Sequence, residues 1–204
     1  IWVKETYETE DLVMKKYAQA GDSYKRKGVV VIGPAAENGV CFVVIKNDRW
    51  RSAGRTGVGT VLGAKNIKAV LFQGDCTRPL FDEEKVKKIA KQIAAVAKDN
   101  PGAHAYKTKG TSQLVRIVNN AGAFPTRYWS EGTYDKWEDI SADAFHAKCE
   151  VKPNACGKCF MACGRLTTIK EGRHAGMKLE GPEYETIYAF GGLCMIDSIE
   201  EIAY

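Results

Sequence analysis

The sequence has no long apolar run and does not begin with methionine. No stretch approaches the roughly 18 consecutive apolar residues of a membrane-spanning helix. The first residues, Ile-Trp-Val-Lys-Glu, lack the apolar segment of a secretory signal peptide. We therefore expect no membrane span. Because the sequence also ends inside a helical pattern, at Ile202-Ala203-Tyr204, we expect a segment of a longer protein.

The chain also lacks a block of charge of one sign. It contains 30 Lys and Arg against 25 Asp and Glu, for a formal net charge of +5, and the two signs are interleaved. Nucleic-acid binding typically requires a clustered basic patch, so we expect no nucleic-acid partner. A slight basic excess suits an anionic cofactor or an acidic electron carrier, although a solvated surface is the simpler explanation.

The seven cysteines lack the even number of a secreted disulfide framework. Three of them, Cys156, Cys159 and Cys163, lie within eight residues, which favours a reducing compartment. We therefore expect a cytoplasmic protein. With 204 residues, the chain can form one large domain or parts of two.

The three clustered cysteines predict an inorganic centre. Their spacing places the sulfurs on one side of a helical turn or of a loop that enters a helix. Zinc and a 4Fe-4S cluster each need four ligands, and neither Cys149 nor Cys194 forms the second Cys-x-x-Cys pair of a zinc site. This favours an iron-sulfur cluster over structural zinc. Three buried apolar thiols are the remaining interpretation.

Hydrophobic patterns predict a β-containing module, then a mainly helical one, with the boundary at residues 74–80. A first helix should open at Thr9, its capping residue, and end at Gly21. The predicted strands are 28–33, 40–45 and 66–73. The later predicted helices are one that Asp82 caps and that ends before Pro101, then 114–118, 141–147 and 184–190, with a capping box at Asp197 and Glu200.

A glycine-rich stretch, residues 54–63, lies beside Arg51 and includes Arg55. Its backbone N–H groups could surround phosphate oxygens. It is not a Walker A loop, because no Lys-Ser/Thr follows the second glycine, and it matches a dinucleotide fingerprint only loosely. A strained connection is the alternative. So many glycines argue against a regular helix.

Three carboxylates surround a predicted helix start, in Glu180-Gly-Pro-Glu183-Tyr-Glu185. Acids at such positions usually stabilise the helix through its dipole. An acid buried beside a redox centre would instead have a raised pKa that suits acid-base catalysis. Both interpretations remain open from the residues alone.

Four stretches, taken in order, resemble the tungsten-dependent aldehyde ferredoxin oxidoreductases. The resemblance covers nearly the whole sequence, and its motifs are specific in combination. The stretches are Gly33-Pro-Ala-Ala-Glu-Asn38; Asn47-Asp48-Arg49 with Ala53-Gly-Arg-Thr-Gly-Val-Gly59 and Gly63-Ala-Lys-Asn-Ile-Lys-Ala69; Cys156-x-x-Cys159-x-x-x-Cys163; and Glu180-Gly-Pro-Glu-Tyr-Glu185.

The resemblance implies an anaerobic oxidoreductase that converts aldehydes to carboxylic acids at a tungsten, or molybdenum, bis-pterin centre of the molybdopterin type. It implies a 4Fe-4S cluster that transfers electrons to ferredoxin or another electron-transfer subunit, and a magnesium ion that bridges the pterin phosphates. The enzyme would be a homo-oligomer or part of a complex. A relative that reduces aromatic thioesters, a non-catalytic iron-sulfur module and a zinc-stapled interaction domain are the rival interpretations.

The resemblance also implies an α+β fold and a role for each candidate residue. Residues 1–76 would be the C-terminal part of a β-rich pterin-binding domain, and residues 77–204 the N-terminal part of a helical iron-sulfur domain. The carbonyl of Ala53 would bind magnesium. Glu180 or Glu183 would position or deprotonate water or the hydrated aldehyde. The implied cluster ligands are Cys156, Cys159 and Cys163, with a fourth beyond Tyr204, and the implied pterin contacts are Arg51, Ser52, Ala53, Gly54, Arg55, Gly57 and Gly59.

Overall fold

The computed structural model describes residues 1–20, 26–157 and 159–204. These residues divide into two compact units, Ile1–Leu80 and Phe81–Tyr204. Both units combine helices with strands, which confirms the predicted α+β class. In the part of the chain that is described, no helix is long and apolar enough to cross a membrane.

The first unit packs a helix against a four-stranded antiparallel sheet. Val13 of the helix contacts Val29 and Val31 of the sheet, and all three side chains are buried. The strand order is β3-β2-β1-β4. The elements are α1 (Thr6–Tyr17), β1 (Arg26–Val31), α2 (Pro34–Glu37), β2 (Ile45–Asn47), β3 (Arg51–Ala53), α3 (Val58–Ala64) and β4 (Ala69–Gly74). The predicted end of the first helix, Gly21, lies outside the described residues. The predicted cap is wrong: α1 begins at Thr6, after Glu5, and Thr9 is buried inside the helix.

Two predictions for this unit are wrong, and they share one cause. The predicted strand at 40–45 is extended only at its end, and the glycine-rich stretch forms a 3-10 turn followed by α3. The backbone of the predicted strand forms a hydrogen bond with α3 where a strand would pair with its neighbour: the N–H of Gly59 donates to the carbonyl of Val43 at 3.1 Å. Glycine lets the helix lie directly on that backbone.

The second unit surrounds a three-stranded antiparallel sheet with short helices. Its sheet has the order β5-β6-β7. The elements are α4 (Glu83–Lys98), α5 (Pro101–Lys109), α6 (Leu114–Asn120), α7 (Ala142–Lys148), β5 (Cys149–Asn154), β6 (Gly164–Ile169), β7 (Lys178–Glu180), α8 (Tyr184–Ile187) and α9 (Ile199–Ala203), and a π-helical segment, Tyr188–Leu193, follows α8. The buried core includes Phe124, Ile140, Phe145, Ile169 and Ile187.

The predicted helix starts of this unit are largely confirmed. Asp82 caps α4 by accepting a hydrogen bond from the N–H of Lys85 at 2.8 Å, and Ser141 caps α7. The capping residue of α9 is Ser198 and not Asp197, because the Ser198 hydroxyl reaches the N–H of Glu201. The prediction of a mainly helical module missed β5, β6 and β7, whose short sequences carry many polar residues.

Candidate functional site

The cysteine loop, residues 155–163, connects β5 to β6. Asn154 and Gly164 form the last pair of the antiparallel ladder, so the sheet fixes both ends of the loop. The predicted entry into a helix is therefore wrong: the loop enters a strand. Cys156 and Cys159 are exposed, and Cys163 is half-buried.

The thiol of Cys163 is influenced by its surroundings. Burial raises its pKa, and the negative charge of Glu183 raises it further. All seven cysteines, which fall within the described ranges, are free. Among the described residues, however, no group of three or more His, Cys, Asp or Glu side chains is arranged to hold a metal ion. The loop thus offers thiols but not a finished ligand set.

Glu180 lies at the end of β7, next to the cysteine loop. It pairs with Leu166 of β6, and its Oε1 accepts a hydrogen bond from Nδ2 of Asn154 at 3.2 Å. A Cβ atom on Gly164 would lie 2.7 Å from the same Oε1. Gly164 therefore leaves room for the carboxylate directly after Cys163.

Glu183 is half-buried just before α8. Its Oε2 accepts a hydrogen bond from the hydroxyl of Thr111, and the same hydroxyl oxygen accepts one from the N–H of Tyr184 at 2.9 Å. Burial raises the pKa of Glu183 and is the largest influence on it; Thr111 and Arg165 act in the opposite direction. Glu183 can therefore hold a proton at a higher pH than a free glutamate can, which suits proton transfer.

Glu180 and Glu183 also line a surface cavity of about 500 Å³. Its other walls include the aromatic rings of Phe190 and Tyr204 and the side chain of Arg173. A cavity of this size, partly apolar and with a few polar groups, can accommodate a small organic molecule.

Arg165 is a site residue that the sequence reasoning missed. Its side chain is 1% exposed. Its Nη2 donates to the carbonyls of Tyr106, Lys107 (3.1 Å) and Ala162 (3.3 Å). Its Nε and Nη1 are buried and have no hydrogen-bond partner within the described part of the chain. An arginine two residues after the last loop cysteine was the available signal.

The predicted pterin residues lie in the first unit and have two different environments. Gly57 and Gly59 are packed against their own unit, because a Cβ atom would lie 1.9 Å from the carbonyl oxygen of Cys41 or 2.5 Å from that of Val44. Internal packing accounts for both glycines. The others form β3 or follow it, and all but the half-buried Arg51 are exposed: Arg51, Ser52, Ala53, Gly54 and Arg55.

Two family models match the chain. Residues 1–74 match the N-terminal domain of aldehyde ferredoxin oxidoreductase, and residues 88–204 match domains 2 and 3. Tungsten-containing aldehyde ferredoxin oxidoreductases of Pyrococcus furiosus and Thermococcus kodakarensis are 35% and 34% identical over 99% of the chain. The chain spans 32% of the length of each relative.

More distant relatives extend the comparison. The aliphatic sulfonate oxidoreductase, WOR-like subunit, of Pyrococcus furiosus is 28% identical over 88% of the chain and 29% of its own length. A solved structure, the active site complex BamBC of benzoyl coenzyme A reductase with 1,5-dienoyl-CoA, superposes with a TM-score of 0.66. It shares 19% identity and is matched over 98% of this chain and 31% of its own, which shows a common fold.

Proposed function

Because the chain belongs to the aldehyde ferredoxin oxidoreductase family, as its motifs predicted, we propose that it forms part of an oxidoreductase that converts aldehydes to carboxylic acids. When bound, a tungsten or molybdenum bis-pterin supplies two-electron chemistry, and a 4Fe-4S cluster supplies single-electron transfer to ferredoxin or another electron-transfer subunit. In this proposal residues 1–76 belong to the pterin-binding domain and residues 77–204 to the iron-sulfur domain of a cytoplasmic enzyme that works as a homo-oligomer or in a complex.

The observation that carries the proposal is the grouping of Glu183, Arg165 and the cysteine loop in one unit. The loop offers three free thiols, and thiolates are the ligands that iron-sulfur clusters require. Next to Cys163, the guanidinium of Arg165 has two buried nitrogens, Nε and Nη1, that no described residue uses. This donor set fits a cluster held by Cys156, Cys159 and Cys163, with a fourth ligand from the full-length protein.

Glu183 is the proposed acid-base group. Its carboxyl is half-buried, its pKa is raised, and Thr111 fixes its orientation. It lines the cavity of about 500 Å³, where it can take a proton from water or the hydrated aldehyde. Glu180, which also lines the cavity, is held by Asn154 and would position the same molecule.

The pterin phosphates are the proposed ligand of the exposed segment that begins in β3 and continues after it. Ser52, Ala53, Gly54 and Arg55 are exposed, so a bound group can reach this segment. The Ala53 carbonyl is the proposed magnesium ligand. Arg51, Gly57 and Gly59 complete the proposed pterin contacts. The two glycines also let the start of α3 lie against the backbone of Cys41 and Val44.

Reduction of an aromatic thioester is a second candidate function. The similarity in fold to the benzoyl coenzyme A reductase complex supports it, at 19% identity. The 35% identity to aldehyde oxidoreductases favours aldehyde oxidation. Assays of the full-length enzyme with an aldehyde and with an aromatic thioester distinguish the two reactions.

Metal and pterin analysis of the full-length protein, purified without oxygen, tests the proposal. We expect about four iron atoms per chain, tungsten or molybdenum, and a fluorescent pterin on acid release. Iron without pterin would indicate a non-catalytic electron-transfer module, and zinc alone an interaction domain. Absence of both iron and a group-six metal would overturn the proposal.

The cluster assignment has its own test. Cys159→Ser should remove the brown absorbance of the cluster and stop electron delivery to ferredoxin, because it removes a ligand. Cys194→Ser is the matched control, since Cys194 is exposed and lies outside the cysteine loop. An unchanged spectrum in Cys159→Ser would show that Cys159 is not a ligand.

A further inference from the structure

Arg165 is buried in a way that its own fold does not account for. Removal of a guanidinium from water costs free energy unless all its N–H groups are paired. Nη2 donates hydrogen bonds to three carbonyls, yet Nε and Nη1 have no partner among the residues that the structure describes. The pairing of Arg165 is therefore incomplete on the side that the three carbonyls do not cover.

The paired side of Arg165 joins α5 to the cysteine loop. Tyr106 and Lys107 lie in the last turn of α5, where the helix dipole attracts a cation. The carbonyl of Tyr106 also accepts the N–H of Gly110 at 2.9 Å. The third carbonyl belongs to Ala162, directly before Cys163. One guanidinium nitrogen thus connects the end of a helix to the end of the loop.

Gly110 shows how closely these elements approach. It follows α5 with φ +68°, a conformation that glycine adopts readily. A Cβ atom there would lie 2.5 Å from Nε of Arg165 and 2.8 Å from the carbonyl oxygen of Cys163. The guanidinium is therefore confined between the helix end and the loop.

The charge of Arg165 acts on the groups of the candidate site. The carboxylate of Glu183 and the thiol of Cys163 are the groups that interact with it electrostatically. His146 lies on another side, and burial and the charge of Arg165 both lower the pKa of that imidazole. A buried positive charge thus lies beside the thiol that ends the cysteine loop.

We infer that Arg165 is a positioning residue of the redox centre: it fixes the cysteine loop on α5 and keeps a buried positive charge beside the cluster. This inference rests on the proposed iron-sulfur function. A positive charge and N–H donors near a cluster stabilise its reduced form, so they raise its reduction potential.

The test compares a neutral and a charged replacement in the full-length protein. Arg165→Gln keeps an N–H donor but removes the charge, and Arg165→Lys keeps the charge. We expect the midpoint potential of the cluster, from a redox titration followed by EPR, to become more negative in Arg165→Gln and to stay close to the wild-type value in Arg165→Lys. Arg116→Met, which removes an exposed arginine of the same unit, is the control and should leave the potential unchanged.

Each outcome decides the inference. A cluster that Arg165→Lys retains and Arg165→Gln loses supports it, because the charge is then needed for assembly. An unchanged potential in an iron-loaded Arg165→Gln protein overturns it, and so does loss of the cluster from both variants. A wild-type protein without iron refutes the proposed function itself, and the inference with it.

Discussion

Each unit of the chain contains a basic side chain that is almost completely buried, but the two differ in how they are paired. Lys68 of the first unit is 5% exposed; it donates to the carbonyl of Lys4 at 2.7 Å and forms an ion pair with Glu37. Glu37 in turn accepts the N–H of Val3 at 2.9 Å. Arg165 of the second unit is 1% exposed, and two of its nitrogens, Nε and Nη1, have no partner among the described residues.

The difference indicates that Lys68 belongs to a structural ion pair, whereas Arg165 is a candidate binding group. The charge of Lys68 is neutralised by Glu37, inside the same unit, so folding alone accounts for both residues. Among the described residues Arg165 forms no such ion pair, and Glu183, the acid that acts on its charge, is bonded to Thr111. A buried cation with incomplete pairing indicates that a group from outside the local fold completes it.

The largest expected effect concerns the buried ion pair between Lys68 and Glu37 in the first unit. Lys68→Met should lower the free energy of unfolding by about 4 kcal/mol, because it leaves the buried carboxylate of Glu37 without its counter-charge. Urea denaturation of the full-length protein measures the change. Lys65→Met, at an exposed lysine nearby, should cost less than about 0.5 kcal/mol. Equal stability of the two variants would show that the ion pair between Lys68 and Glu37 does not stabilise the fold. The contrast with Arg165 would then no longer hold.

The next effect tests which glycines of the first unit are required for packing. Gly63→Ala should cost about 3 kcal/mol of unfolding free energy, since its Cβ would lie 2.0 Å from the carbonyl oxygen of Ala36. Gly54→Ala is the control: no described atom lies within 4 Å of its Cβ, and its φ is −86°. Normal stability combined with reduced pterin content in Gly54→Ala would sharpen the comparison, because it would assign cofactor contact to the exposed part of the stretch. A Gly63→Ala protein as stable as the wild type would show that α3 can move away from Ala36.

The smallest effect concerns the acid of the second unit. Thr111→Val should cost about 1 kcal/mol, and it removes a hydrogen bond that lowers the pKa of Glu183. The pKa of Glu183 therefore rises. If Glu183 must be ionised to accept a proton, the fall of kcat/KM on the acid side should move to higher pH. Thr108→Val, at an exposed threonine, should leave the pH profile unchanged. An unmoved profile in Thr111→Val would mean that Glu183 is not the titrating group.

Elements with regular apolar spacing and a clear cap could be predicted from the sequence. The helix α4 is the best example, because Asp82 supplies the capping carboxylate. Proline, by contrast, has two meanings: Pro101 was interpreted as the end of α4, but it also begins α5, where Asn100 caps the helix by accepting from the N–H of Ala103 at 3.0 Å. The sequence around a proline does not distinguish a stop from a new start.

Within the candidate site, only the reactive side chains, the cysteines and glutamates, could be predicted from the sequence. The cysteines and glutamates are visible by residue type and spacing, and the structure brings Cys163, Glu180 and Glu183 into one region. The residues that orient them come from distant parts of the chain. Thr111, which holds Glu183, is 72 residues away along the sequence, so no local pattern connects the two. Arg165 is near Cys163 in sequence, but its burial follows from α5, about 60 residues earlier.

Because the cysteine loop joins two paired strands, the spacing of its sulfur atoms and the position of Glu180 can change independently. Strands β5 and β6 pair from Cys149 and Ile169 to Asn154 and Gly164, so the sheet has its register before the loop begins. The free energy of closing a loop changes slowly with its length. Insertions or deletions between the strands can therefore alter the spacing of the sulfur atoms without shifting Glu180 on β7. The sheet thus holds Glu180 in place whatever the length of the loop that carries the thiols.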